Sequence, residues 1–133
     1  LLHDYGHLVH ELGEDIAEKG VDARHEELGA DRLESQFIPE VVEPIRLHVA
    51  AKRFLCWKDP AYLAGLSAAS TRSLELQGGP MTDSEARAFA DHPHFANALR
   101  VRHYDDLGKV EGMPTAYLEE FTALLALFVR QGD

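Results

Sequence analysis

His3-Asp4-Tyr5-Gly6-His7 stands at the start of a chain of 133 residues. Adjacent His and Asp side chains offer a neutral nitrogen and an anionic oxygen to a metal, and a single carboxylate can bridge two ions. His7 follows His3 by four positions, so on a helix both imidazoles would share one face. These five residues form one wall of a polar site. Which fold the chain adopts then turns on which later histidines and acids can be brought against that wall.

Working outward, residues 1–12 read as the end of a helix, with Leu1, Leu8 and Leu12 apolar and the histidines on another stripe. Gly13 and the charged stretch Glu14–Gly20 read as a mobile connection. A helix is predicted from about His25 to Phe37, with Leu28, Leu33 and Phe37 as its buried stripe and Gly29 and Ala30 permitting close packing. Pro39 suits the first turn of the next helix, where its missing N–H costs little. That helix runs to about Leu55, with Ile45, Val49 and Ala50 inward, and Pro44 is expected to kink or divide it.

Asp59-Pro60 opens a short helix through Leu66, and Ser67 caps another over Ala68–Leu76. Gln77-Gly78-Gly79-Pro80 is a break. Thr82 and Glu85 form a capping box at the head of the next helix, which Pro93 ends. A longer helix spans His94–Val110, and Gly112–Pro114 is a turn. The final stretch, Thr115–Arg130, is the most clearly amphipathic, with Leu118, Phe121, Leu124, Leu125 and Phe128 at helical spacing. No strand, repeat or low-complexity segment emerges, and the expectation is one all-α domain.

Composition bounds the function. The hydrophobic share of 45% and charged share of 27% are ordinary for a globular domain. A net charge of -10 argues against a general nucleic-acid or anionic-membrane binder, while leaving room for a small anion held by local cations. No apolar run approaches the ~18 residues that suggest a membrane span. Cys56 has no second cysteine to pair with, so a reducing cytoplasm is the default expectation.

Three of the eight histidines gain weight from their surroundings. His3 precedes Asp4, His25 begins a predicted helix, and His48 sits among Ile45, Val49 and Ala50. A histidine on an apolar face needs a partner, either a metal or a backbone carbonyl. Arg102, Asp105 and Lys109 follow one another at three and four positions. They read either as a solvated ion-pair ladder or as Asp105 turned to a metal with Arg102 turned to an anion. Asp106, about 100° further round, is expected to point elsewhere. Lys52 lies one turn beyond His48 and faces the same way.

The order His-Asp, His, His, Asp resembles the HD-domain metal-dependent superfamily. HDYGH at 3–7, HEELGAD at 25–31, RLHVAAKR at 46–53, SLELQGGPM at 73–81 and RHYDDLGK at 102–109 more narrowly resemble its di-iron oxygenases of organophosphonate catabolism. The likeness runs from residue 1 to about 110. His7 stands where many HD phosphohydrolases carry Lys.

That resemblance implies an HD domain over residues 1–133, and roles position by position. His3, Asp4 and Asp105 would bind one iron, and His25 and His48 the other, with Asp4 bridging an Fe(II)/Fe(III) pair. His7, Lys52, Ser70 and Arg102 would hold the phosphonate. The implied reaction cleaves the C–P bond of a 1-hydroxyphosphonate with O2, giving phosphate and a carboxylic acid. The family places another metal-binding His and a Tyr/Glu lid ahead of the HD pair. Leu1 lies past that point, so the chain reads as a fragment lacking its N-terminal helices. Two alternatives stay open: a phosphohydrolase using another divalent metal, and a non-enzymatic helical module with a degenerate site. On the oxygenase reading, Lys52 and Arg102 are expected at the rim of one cavity, partly solvated and unimportant for stability.

Overall fold

Pro39 sets the long axis of the molecule. At the first helical position its fixed φ and missing N–H cost nothing, and from it α2 (Pro39–Lys58) runs for 20 residues. The helix continues through Pro44, where only the Glu40 carbonyl loses its donor, instead of dividing there. In the computed structural model, which describes residues 1–9 and 24–131, the other elements gather around this helix.

They are a 3-10 turn at Tyr5–Leu8, α1 (His25–Leu33), α3 (Pro60–Ala64), α4 (Ala68–Leu76), α5 (Asp83–Ala90), α6 (Phe95–Gly108), a 3-10 turn at Leu118–Phe121, and α7 (Thr122–Ala126). α2 packs on α6 and α1, and also meets α3 and α5. An isolated bridge between Phe37 and Val129 is the only β pairing among the described residues. The expected all-α architecture is what forms. No described helix is long and apolar enough to cross a membrane.

Local chemistry explains the boundaries. Ser67 accepts from the Ser70 N–H at 3.1 Å and starts α4. Thr82 and Glu85 exchange hydrogen bonds as a capping box at the start of α5. Gly78 and Gly79 both take positive φ in the break between α4 and α5.

α2 is buried differently along its length. Val42 and Ile45 join Ala30, Leu33 and Phe37 in one apolar cluster. Ala51 and Phe54 join Met81, Ala86, Phe89 and Ala98 in another. His48, between the two sets, and Lys52, beside Ala51, are both buried. Two polar groups spaced four apart on the inward face of a core helix need partners, and those partners define the site.

Several expectations change. Leu28 is 37% exposed, and α1 ends at Leu33 instead of running to Phe37, which is buried in the connection beyond the helix. The first residues are not α-helical: His3 and Asp4 lie in a turn ahead of the 3-10 residues. His3 and His7 therefore reach the site from a turn and a 3-10 segment, not from one helical face. The readings of residues 10–12 and of the Gly13–Gly20 connection fall outside the described residues.

The largest correction is at the C-terminus. Instead of one helix over 115–130, there is a 3-10 turn followed by the five residues of α7. Leu118, Leu124 and Phe128 are exposed, and Leu125 alone of the predicted stripe packs on the α1–α2 cluster. A helix of this length is marginal in water unless tertiary packing covers its apolar face. Here the backbone does other work. The Ile38 N–H donates to the Phe128 carbonyl and the Arg130 N–H to the Gln36 carbonyl, tying this segment to the α1–α2 connection.

Candidate metal centre

Gly6 explains how the His3–Asp4 turn meets α1. A Cβ built on Gly6 would lie 1.7 Å from the His25 carbonyl oxygen, and one on Gly29 would lie 2.9 Å from the Gly6 nitrogen. The two glycines let the backbone of the 3-10 turn rest directly on the first turns of α1. This contact brings Asp4 beside His25.

Five side chains then converge from four segments. His3 and Asp4 come from the N-terminal turn, His25 from the start of α1, His48 from the middle of α2 and Asp105 from α6. One carboxylate oxygen of Asp4 lies 3.5 Å from His25 Nε2 and 3.8 Å from His48 Nε2. The other lies 3.2 Å from His3 Nε2, which is also 3.4 Å from Asp105 Oδ1. Two sets of potential ligands result: Asp4, His25 and His48, and His3, Asp4 and Asp105. Within each, the ligand atoms lie within 4.8 Å of one another, and Asp4 belongs to both.

His25 and His48 are in a state that can bind a cation. His48 Nδ1 lies 2.7 Å from the Ile45 carbonyl, which only accepts, so Nδ1 carries the proton and Nε2 offers its lone pair inward. His25 Nε2 is 3.0 Å from that same Nε2. Burial and the neighbouring His48 push His25 down to about 3, and burial pushes His48 down to about 4. Both rings are therefore neutral at pH 7.

His3 differs. The carboxylates of Asp105 and Asp4 raise it to about 9 when no ion is present, yet its Nε2 is buried without a hydrogen bond. Burial works to raise the two acids, but the His3 ring outweighs it at both. Asp4 falls to about 2, and Asp105, with Arg102 and Lys109 adding to the effect, lies well below the usual carboxylate range. A metal ion could replace the His3 proton between the two carboxylates, and the absence of a well-formed hydrogen bond at that buried nitrogen favours the exchange. Paired imidazole and carboxylate donors suit first-row transition metals.

The residues expected to hold an anion have varied surroundings. His7 is exposed and stacks on the His25 ring at 4.1 Å between centroids. Lys52 is buried, and Nζ donates to Ser73 Oγ at 2.9 Å. Burial, then the nearby Arg102 and Lys109 charges, lower it to about 8. Ser70 lies one turn before Ser73, and its backbone carbonyl accepts from the Ser73 hydroxyl at 3.1 Å.

Arg102 is buried at the centre of a closed network. Nε donates to the Tyr62 hydroxyl at 2.8 Å, Nη1 to Asp105 Oδ2 at 2.6 Å, and Nη2 to Asp106 Oδ1. Lys52 and Arg102 are thus not partly solvated, and Asp106 is not turned away from the network. A flexible arginine at i can reach acids at both i+3 and i+4 when desolvation rewards pairing. Sequence spacing missed Tyr62 and Ser73, since their partners lie 40 and 21 positions away. Gly6 stands within the HDYGH stretch, but nothing local marks the close approach of α1.

The chain is 46% identical over 122 residues to hydroxymethylphosphonate dioxygenase of Gimesia maris, covering 91% of this chain and 61% of that protein. It is 42% identical over 130 residues to the glycine-betaine-forming [1-hydroxy-2-(trimethylamino)ethyl]phosphonate dioxygenase of Leisingera caerulea, covering 97% of this chain and 66% of that protein. An uncharacterised protein of Acanthamoeba polyphaga mimivirus is 33% identical over 133 residues, 98% of this chain and 60% of its own length. The chain therefore spans somewhat under two thirds of these curated relatives. No family model matches it.

Proposed function

We propose that residues 1–133 form an HD-type metal-binding domain of a di-iron oxygenase, which uses O2 to cleave the C–P bond of a 1-hydroxyphosphonate. The observation that carries this reading is the shared Asp4: two ligand groups meet at one carboxylate. The two named relatives support the substrate class, because both names describe a phosphonate bearing a hydroxyl on the carbon bonded to phosphorus. His3, Asp4 and Asp105 would hold one iron, and Asp4, His25 and His48 the other. When bound, the irons would supply the redox chemistry that couples O2 to C–P cleavage and yields phosphate and a carboxylic acid.

The chain's own residues prepare this site. Burial keeps His25 and His48 neutral, so neither needs to lose a proton before ligating. The Ile45 carbonyl fixes the His48 tautomer with Nε2 inward. Asp4 stays ionised and can offset the repulsion between two cations. Lys52 is the strongest candidate cation for the phosphonate, being buried and set on the helix that carries His48. His7 and Ser70 are proposed to add polar contacts. Arg102 has already committed three nitrogens to protein partners, so its share in anion binding would come from its remaining N–H groups.

Metal analysis with electron paramagnetic resonance on anaerobically loaded chain tests the centre. Two irons per chain are expected; Asp4→Ala should lose both, and His48→Ala chiefly one. An Asp4→Ala variant that keeps the parent's metal content would remove the bridging role. Phosphate release from hydroxymethylphosphonate should require O2. Release from a phosphate ester without O2 would instead identify a hydrolase, and absence of metal binding would leave a helical module.

A further inference from the structure

The Tyr62–Asp106–Arg102 network has no part in the ligand sets above, and it is built more closely than an ion pair needs. Tyr62 lies on α3, a five-residue helix with no buried residue of its own. Its hydroxyl accepts from Arg102 Nε at 2.8 Å and donates to Asp106 Oδ2 at 2.6 Å. Asp106 returns its other oxygen to Arg102 Nη2. Three groups close a ring around one guanidinium, and each edge of the ring is a hydrogen bond.

The third guanidinium nitrogen lies outside this ring. Nη1 donates to Asp105 Oδ2 at 2.6 Å, while Asp105 Oδ1 faces His3 Nε2. A guanidinium is planar, so fixing Nε and Nη2 fixes the direction of Nη1. Fixing Nη1 in turn sets the rotation of the Asp105 carboxylate. We propose that Tyr62 and Asp106 are positioning residues: acting through Arg102, they orient Asp105 so that Oδ1 is presented to the cation held by His3 and Asp4.

This inference rests on the metal-centre reading above. It gives α3 a purpose its sparse packing does not, since that helix brings the phenol to the network. Groups that orient a ligand are worth ~10–100-fold in metal affinity when removed. The effect here should fall on one of the two sites, because Asp105 belongs to only one of them.

Two measurements on the whole chain test it. In metal-free protein, the Arg102 Nε–H should give a slowly exchanging 15N–1H resonance, identified by its loss in Arg102→Lys. Tyr62→Phe keeps the ring and removes the hydroxyl, and should broaden or shift that signal strongly. An unchanged signal overturns the clamp whatever the metal does. In anaerobic Co2+ titrations followed by visible absorption, Tyr62→Phe and Asp106→Asn should each weaken one binding step by about tenfold and leave the other alone. In an Arg102→Lys background, Tyr62→Phe should add nothing, since the group it acts through is gone.

Equal weakening of both steps, or the same loss with and without Arg102, would show that Tyr62 merely supports packing. A parent that binds no Co2+ while keeping the Arg102 signal would overturn the metal-centre reading and the positioning role together, leaving the clamp as a structural network. A parent that binds two ions and shows no clamp would overturn this inference alone.

Discussion

Two arginines in this molecule each gather carboxylates around one guanidinium. Arg46 of α2 reaches Asp31 at 2.6 Å and Glu34 at 3.3 Å, and lies 3.6 Å from Glu43. Arg102 of α6 holds Asp105, Asp106 and the Tyr62 hydroxyl. By number of partners the two are alike. By environment they differ: the Arg46 side chain is 27% exposed and its partner Asp31 61%, whereas Arg102 is 5% exposed and Asp105 12%. Around Arg46, water competes for every charge and salt screens the pairs. Around Arg102, the partners replace the water. Among the described residues the acids at Arg46 pair with no further cation, while Asp105 passes on to His3. Ion-pair number says little about a role; desolvation and what the carboxylate's second oxygen faces say more.

Arg102→Ala should produce the largest effect. It leaves Asp105, Asp106 and Tyr62 without their guanidinium, with Lys109, half exposed at 3.3 Å from Asp105, as a partial substitute; breaking a buried pair costs about 3–5 kcal/mol. Urea denaturation should show a fall approaching that order in the unfolding free energy extrapolated to water. A loss under ~1 kcal/mol would mean that the Arg102 network is as solvated as the Arg46 one.

Gly6→Ala comes next and changes no charge. Its Cβ would meet the His25 carbonyl, so the N-terminal turn must shift. Overpacking of this kind costs about 1–3 kcal/mol. The Arg46 and Arg102 networks should remain, yet metal binding should fall at both sites, because Asp4 moves with the turn. Full metal content in Gly6→Ala would show that the contact is not what seats Asp4.

Arg46→Ala should cost at most about 1 kcal/mol, and 1 M salt should erase most of the difference from the parent. A larger loss, or one that salt leaves intact, would make Arg46 equivalent to Arg102.

The last test is a pH profile that neither arginine dominates. In metal-free protein, His3 has a folded value of about 9, above its ordinary 6.5. Its contribution is complete below 6.5 and is lost as pH rises through 9. His25 and His48 have folded values of about 3 and about 4, so the unfolded chain takes up their protons first and stability falls as pH drops below 6.5. From these imidazoles metal-free stability should therefore peak near pH 6.5, with Lys52, lowered to about 8 from its ordinary 10.5, opposing the alkaline loss above pH 8. Replacing His3 with Asn should flatten the alkaline limb and leave the acidic one. A parent profile flat from pH 5 to 9 would show that the imidazoles are not held in these contrasting states.

The elements were legible where local chemistry decides them. Ser67, Thr82 with Glu85, Pro39 and the paired glycines after Gln77 mark boundaries because their effect acts within four residues of themselves. The His-Asp pair and the later His and Asp positions could be named from residue type, order and resemblance. Thr115–Arg130 failed for the complementary reason: an amphipathic pattern states which face would be buried, not whether a surface exists to bury it. Leu28 sits on the same kind of pattern and is exposed.

From sequence alone came the all-α class, the caps, and the residue types able to serve a metal and an anion. The tertiary structure decided the rest: how closely Asp4 lies to both potential ligand groups, that Gly6 must lie on the His25 carbonyl, and that Arg102 is sealed among Tyr62, Asp105 and Asp106. Helix periodicity is set by neighbours a few residues away, and a sequence displays it directly. Solvation of a charge depends on which distant segments close over it, and here those segments stand 40 or more positions apart.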